Sequence, residues 1–372
     1  MAIVFDKDLN VSNLLYAFNN NVVQFKTNTT LTPLKADITT NGHTYTIYPD
    51  PINNFWFNFK SIKSIELNVG NYAETINPDL ATSFVYNWTS KAILDETITF
   101  KIYFTNDTNE TATKTITWLN GYVNLIDYKQ KSPSYQLPIA NVMLLKPLPL
   151  VKYWAGLPFD LAIYNSNTTN VKLRNNSNGI EETFTTGYKV PRLFFSDGDT
   201  DTTIEDVVPF VEGFNRTTIS SAAGSYNFLV EKVAAHCGGH YLKWLNSFGG
   251  WSYWLFNKGN ENLNTKETGV LNNDFSNLED TISPTVALGT ESSNSINTMQ
   301  ENITPDEMLI LRDLLDSVKV YLFTGTPFTK SEITDWIEVG IKSGNFRLTN
   351  SREKLNTLSL TIDLPMNVTR MV

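Results

Sequence analysis

A single cysteine, Cys237, and three histidines in 372 residues leave little material for redox or metal chemistry. No intrachain disulfide can form, so stability must come from apolar burial and β-ladders. Charge is sparse as well, at 18% of residues, and 29 Lys and Arg face 38 Asp and Glu for a net charge of -9. An acidic balance of that kind opposes any sequence-independent grip on phosphate backbones, so nucleic acid is not an expected partner. Long hydrophobic runs are missing too. The most apolar stretch, 142–164, is broken by Lys146, Pro147, Pro149, Lys152, Pro158 and Asp160, well short of the roughly 20 apolar residues that a membrane helix needs. Membrane insertion is not expected. The first residues, Met1-Ala-Ile-Val-Phe-Asp-Lys-Asp8, carry no basic segment followed by an apolar one, which predicts a protein made and kept in a cytoplasm. Gly-x-Ser-x-Gly and the glycine-rich phosphate loops are also absent, so the expectation is a protein that is not an enzyme. Paired carboxylates of a glycosidase are recognised in space rather than in sequence, and that reading stays as a lesser alternative.

What the chain has is aromatic and aliphatic material, 41% hydrophobic and 12% aromatic, patterned with period two. In Phe55-Trp-Phe-Asn-Phe59 the residues Phe55, Phe57 and Phe59 share one face, the mark of a half-buried strand. Similar runs at 22–26, 44–48, 84–88, 97–104 and 113–118 are separated by turn residues, and the last two read as a long hairpin. Strand-like runs resume at 160–164, 170–173, 181–184, 192–195 and 226–230 after a proline-rich passage at 137–158, which is taken as a domain transition because each proline removes a donor. His240–Leu245 and Trp251–Phe256 flank Asn246-Ser-Phe-Gly-Gly250, a hairpin whose glycines supply positive φ. A polar passage at 261–300 reads as an extended or loop-rich connector. Thr304-Pro-Asp-Glu307 then gives a capping box with proline at the first helical position, ahead of a stripe of Met308, Leu311, Leu314 and Leu315. Strands at 318–323, 336–341 and 357–364 follow. The predicted fold is therefore mainly β: two tandem antiparallel β-sandwich domains, 1–130 and 131–260, followed by a small β-rich α+β C-terminal unit, 261–372, with one helix.

Three clusters carry candidate chemistry. His236-Cys237-Gly-Gly-His240 offers three zinc-type ligands with no second cluster, and its alternative reading is a turn with Cys237 packed as a small apolar group. Ser196–Asp206 places Asp197, Asp199 and Asp201 at the alternate spacing that suits a hard cation, here a weak calcium site. Thr202 and Val208 stand where an EF-hand needs glycine and glutamate, so that motif is excluded, and a solvated acidic loop is the competing reading. The densest feature is aromatic: Tyr241, Trp244, Phe248, Trp251, Tyr253, Trp254 and Phe256. Alternation gives both faces of that hairpin large apolar surface, so two partners are needed, drawn from the chain's own packing, a second subunit, or a sugar stacked on an aromatic.

The run Tyr241-Leu-Lys-Trp-Leu-Asn-Ser-Phe-Gly-Gly-Trp-Ser-Tyr-Trp-Leu-Phe256, preceded by Cys237-Gly238, resembles a pattern in virion tail proteins of tailed bacteriophages of Bacteroidetes-type hosts. The capped helix at 304–317, the strand ending in Tyr321-Leu-Phe323, Trp336-Ile-Glu-Val-Gly-Ile341 and the last strand at 358–364 are similar to those proteins, as is the opening at 22–25. The resemblance implies a non-enzymatic structural protein of the virion, a distal-tail-like subunit of the tail tip or baseplate that forms a homo-oligomeric ring and links the tail to host-attachment parts. It implies other copies of itself and other virion tail proteins as partners, and location in the virion tail after synthesis in the host cytoplasm. A carbohydrate-binding or receptor-binding sandwich protein remains the alternative, with host surface glycan stacked around Trp251 and Trp254.

Overall fold

The structure, a computed structural model, describes residues 3–124, 137–234, 238–257, 259–273, 279, 283–345 and 355–366. Its contacts divide the chain into two compact units, 1–233 with 246–251, and 234–245 with 252–372.

The first unit holds four sheets. Strands Ile3–Lys7, Val22–Thr27 and Phe55–Asn58 make a three-stranded sheet in that spatial order. A five-stranded sheet runs Leu15–Tyr16, Asn109–Leu119, Ile93–Phe104, Pro33–Thr40, His43–Ile47. Alternation sends Val23, Phe25 and Phe55 inward from the first, and Ile38, Ile98, Phe100, Ile102 and Trp118 inward from the second, into one buried cluster. Phe25 stacks on Phe55 at 5.3 Å and meets Phe100 edge-on at 5.3 Å, the offset and edge geometries that aromatic quadrupoles favour. Pairing is antiparallel except at Leu15–Tyr16, which runs parallel to Trp118–Leu119.

A second pair of sheets follows. The four-stranded one runs Val142–Leu144, Phe159–Asn165, Pro191–Ser196, Val85–Asn87. The five-stranded one runs Leu150–Ala155, Gly224–Ala234, Gly213–Ser221, Val171–Asn175, Glu181–Phe184. Tyr153 on one sheet touches Phe159 and Phe195 on the other at 5.5 and 5.8 Å. All seven residues of Phe159–Asn165 are buried, as expected for a strand covered on both faces.

Three expectations need correction. The chain does not separate near residue 130: Val85–Asn87, from the first third, pairs with Leu193–Pro191 in the second sandwich, so 1–233 is one unit. The proline-rich passage is not irregular throughout, because its prolines flank the two short strands 142–144 and 150–155 rather than interrupt them. The polar passage at 261–300 is not a connector but two paired strands, Asn260–Asn272 and Thr285–Ile303. Their ladder bonds come from the backbone, so a run rich in Asn, Ser and Thr forms a sheet without a strong apolar alternation.

In the second unit seven strands run Trp251–Phe256, His240–Leu245, Val320–Phe323, Trp336–Asn345, Asn356–Asp363, Thr285–Ile303, Asn260–Asn272. Trp251 itself groups with the first unit. The helix Pro305–Asp316 starts on the expected box: Thr304 Oγ1 accepts from the Glu307 N–H at 3.3 Å, and Glu307 Oε2 accepts from the Thr304 N–H at 2.8 Å. A helix of Lys60–Leu67 was not expected. It is held by Lys63, fully buried, whose ammonium meets Thr40, Glu66 and Glu96 at 2.6, 2.6 and 2.7 Å.

Candidate functional site

The aromatic hairpin is interior. Tyr241, Trp244, Phe248, Trp251, Tyr253, Trp254 and Phe256 are all at most 5% exposed. Of the three partners open to this hairpin, the chain's own packing is the one these burials favour. Within the second unit Tyr241 stacks on Tyr253 at 5.9 Å, Trp336 lies 5.9 Å from Tyr241, and the Lys243 ammonium sits 4.2 Å from the Trp336 ring centroid. The hairpin turn belongs to the first unit, where Trp251 meets Trp88 at 6.0 Å and the Trp88 indole N–H donates to the Gly249 carbonyl at 3.0 Å. Only Gly249 of the glycine pair has positive φ, at 77°. Close approach explains both glycines: a Cβ on Gly249 would lie 2.5 Å from the Asn120 carbonyl oxygen, and one on Gly250 would lie 2.6 Å from that of Leu145.

The acidic loop uses its carboxylates on itself. Asp197 Oδ1 accepts from the Asp199 N–H at 3.1 Å, and Asp199 Oδ1 accepts from the N–H groups of Thr200 and Asp201 at 2.6 and 3.3 Å. These bonds fold the loop whether or not a cation is present. Among the described residues no group of three or more His, Cys, Asp or Glu is placed to hold a metal ion. His236 and Cys237 lie outside the described residues, and His240 Nε2 accepts from the Gly259 N–H at 3.3 Å.

The most concentrated buried charge was missed in the sequence, since nothing in the spacing of Glu74, Lys146, Asp160 and Arg192 announces that they meet. Arg192 donates from Nε and Nη2 to the two oxygens of Asp160 at 2.9 and 2.6 Å, and from Nη1 to Glu74 at 2.8 Å. Burial pushes the Lys146 amine down to about 8, while the Asp160 charge pulls it back up. Arg192 lies 4.9 Å from the ring centres of both Trp88 and Phe194. Glu74 also accepts from the N–H groups of Thr75 and Ile76 at 2.9 and 3.0 Å. The group therefore clamps the segment leading to Val85–Asn87 onto the second sandwich, with both Asp160 oxygens and Glu74 Oε1 accepting hydrogen bonds from the protein itself. Its arrangement serves structure.

Among the described residues, what remains uncovered is the far part of the paired strands Asn260–Asn272 and Thr285–Ile303. The last partner of Thr285–Ile303 in the sheet, Asn356–Asp363, ends at Asp363 opposite Ser295. Beyond it, among the described residues, 263–272 pairs only with 285–294. That makes a two-stranded arm of about 33 Å at ~3.3 Å per residue. Leu263, Val270, Leu271, Val286 and Leu288 on the arm are 37–64% exposed. Only Lys266, Glu267 and Glu291 in those twenty residues are charged. An isolated two-stranded ribbon is marginal in water, and natural exposed edges usually carry lysine, proline or a shielding segment. The arm has the surface of an element built to be covered.

No family profile and no curated protein matches the chain. Among solved structures it is similar to fibronectin(III)-like modules of Clostridium thermocellum CbhA, at 7% identity over 62% of this chain and 93% of that one, with a TM-score of 0.19. It is also similar to a titin fragment, at 11% identity over 63% of this chain and 100% of that one, TM-score 0.27. The complex of Dpr2 Ig1-Ig2 with DIP-Theta Ig1-Ig3 matches at 8% identity over 98% and 90% of the two chains, TM-score 0.21. Likenesses this low carry no argument about function. The mainly β fold of paired sheets stands on the chain's own strand order. Among the described residues no helix is long and apolar enough to cross a membrane.

Proposed function

We propose that this chain is a non-enzymatic structural subunit whose work is to cover, and be covered by, other copies in an assembly. The uncovered arm carries this reading. Two faces of a ribbon about 33 Å long and about 10 Å wide amount to roughly 660 Å², close to the ~800 Å² per partner of a stable interface. With exposed Leu, Val and few charges, burying it between copies gains apolar contact at little desolvation cost. The motif resemblance directs the setting to the tail tip or baseplate of a phage particle, as a ring linking the tail to host-attachment parts, with other tail proteins as further neighbours.

The test is the mass of the purified full chain in solution, compared with a variant in which residues 263–294 are replaced by a short turn. A closed oligomer for the first and a folded monomer for the second support the proposal. A monomer for both at about 10 μM, where an interface of this size is occupied, contradicts it. Turnover of a polysaccharide by the full chain would contradict the non-enzymatic half.

A further inference from the structure

Of the eight tryptophans in the chain, Trp56 alone is largely solvent-exposed, at 50%. Its position follows from strand alternation: Phe55 points into the core, so Trp56 points out of the three-stranded sheet. Across that outer face the register sets Lys7 opposite Gln24 and Gln24 opposite Trp56. One row of three neighbouring strands therefore presents an ammonium, an amide and an indole, spaced about 5 Å apart. The next outward position on the tryptophan strand is Asn58, whose amide is committed within the protein: it donates to Asn20 Oδ1 at 3.0 Å and accepts from the Lys60 N–H at 3.1 Å.

The tryptophan is also held in place. Asp50 Oδ1 accepts from the N–H groups of Ile52 and Asn54 at 3.0 and 2.8 Å, and its Oδ2 accepts from the Trp56 indole N–H at 3.5 Å. The Asn54 backbone bond, with the others, holds the Asp50 carboxyl below its ordinary range even at this exposed site. Asn53, with φ of 65°, completes the turn by donating its N–H to the Asp50 carbonyl at 2.9 Å. A large exposed aromatic whose indole N–H is tied back to the preceding turn, with Gln24 and Lys7 in its row and Val22 and Val4 farther along the same face, offers a flat apolar surface beside hydrogen-bonding groups, which suits a ligand that is flat and apolar on one side and rich in hydroxyls at its rim.

The structure assigns a saccharide-binding subsite to this face: we infer that a pyranose ring stacks on Trp56 and that its hydroxyls bond to Gln24. Lys7, which makes no ion pair among the described residues, favours a sugar bearing a carboxylate. The indole's own row offers one amide and one ammonium, both hydrogen-bonding groups, and a protein partner seated on the ring is an outcome that the test below separates. The inference does not depend on assembly and fails separately from it.

The experiment uses the full chain against a panel of neutral and uronate-containing oligosaccharides, read by calorimetry and by acrylamide quenching of tryptophan fluorescence. Trp56 should dominate the quenchable signal, and a bound sugar should shield it. The expected result is binding with Kd of about 1 mM or tighter for at least one sugar, weakened at least about tenfold by Trp56→Ala and about threefold by Gln24→Ala. Trp56→Tyr should restore most of the affinity. Trp56 is on the surface, so the Trp56→Ala chain should fold as the parent does, checked by its unchanged unfolding midpoint. No panel member binding tighter than about 10 mM, or equal binding by Trp56→Ala, overturns the inference. So does loss of a protein partner on Trp56→Ala without any sugar bound.

Discussion

Replacing Lys146 with methionine should change how stability depends on pH in a way that no surface lysine could. The Lys146 side chain is buried near Asp160, and desolvation lowers its amine from 10.5 to about 8. The folded state then binds this proton more weakly than the unfolded state does. Below about pH 8 both states are protonated and the whole penalty opposes folding. Between about pH 8 and 10.5 only the unfolded state is protonated, so stability rises with pH by up to ~1.4 kcal/mol per unit, about 3 kcal/mol in all. Tyr153 and Tyr164 act in the opposite sense at higher pH, since burial raises both phenols and the unfolded chain ionises first as pH passes 10. The clean window is therefore about pH 7.5 to 9.5, and comparison with Lys146→Met cancels the tyrosines. Urea unfolding of both proteins across that window should show the parent gaining roughly 2 kcal/mol on the variant. Parallel profiles would refute the reasoning, because they would mean that the amine reaches water in the folded state.

Other substitutions test the remaining physical statements. Asp160→Asn leaves Arg192 with half its carboxylate partners inside the sandwich and should cost about 3–5 kcal/mol in urea unfolding, as breaking buried ion pairs does. Gly249→Ala forces a Cβ to 2.5 Å from the Asn120 carbonyl at a φ of 77°; it should lower the thermal midpoint through a loss of about 1–3 kcal/mol, while Gly42→Ala, with open space around it, should lose less. Thr304→Ala removes the helix cap and should cost about 1 kcal/mol, recoverable with Thr304→Ser.

The elements legible in the sequence were those whose signal is local. Period-two runs announced Phe55–Asn58 and the hairpin of Ile93–Phe104 with Asn109–Leu119, and the Thr304 box announced the helix. Pairing across distance was not legible: that Val85–Asn87 would complete the sheet of Pro191–Ser196 depends on partners about a hundred residues away. The arm was misread because its residues make their case through backbone ladders and not through an apolar stripe. The aromatic hairpin was correctly read as apolar on both faces, but a pattern of residues cannot say whether its partner is the same chain or another. Trp56 was visible as part of a strand, and its importance emerged only when the other tryptophans proved to be covered.

Hydrogen exchange along the arm tests the account's central claim most directly. In dilute chain the outer-edge amides of 263–272 should exchange at nearly the rate of open backbone, and in the assembled oligomer the same amides should slow by at least about a hundredfold as a neighbouring copy covers them. Equal exchange in the two states, with an oligomer present, would mean that the arm is not the surface that joins the copies.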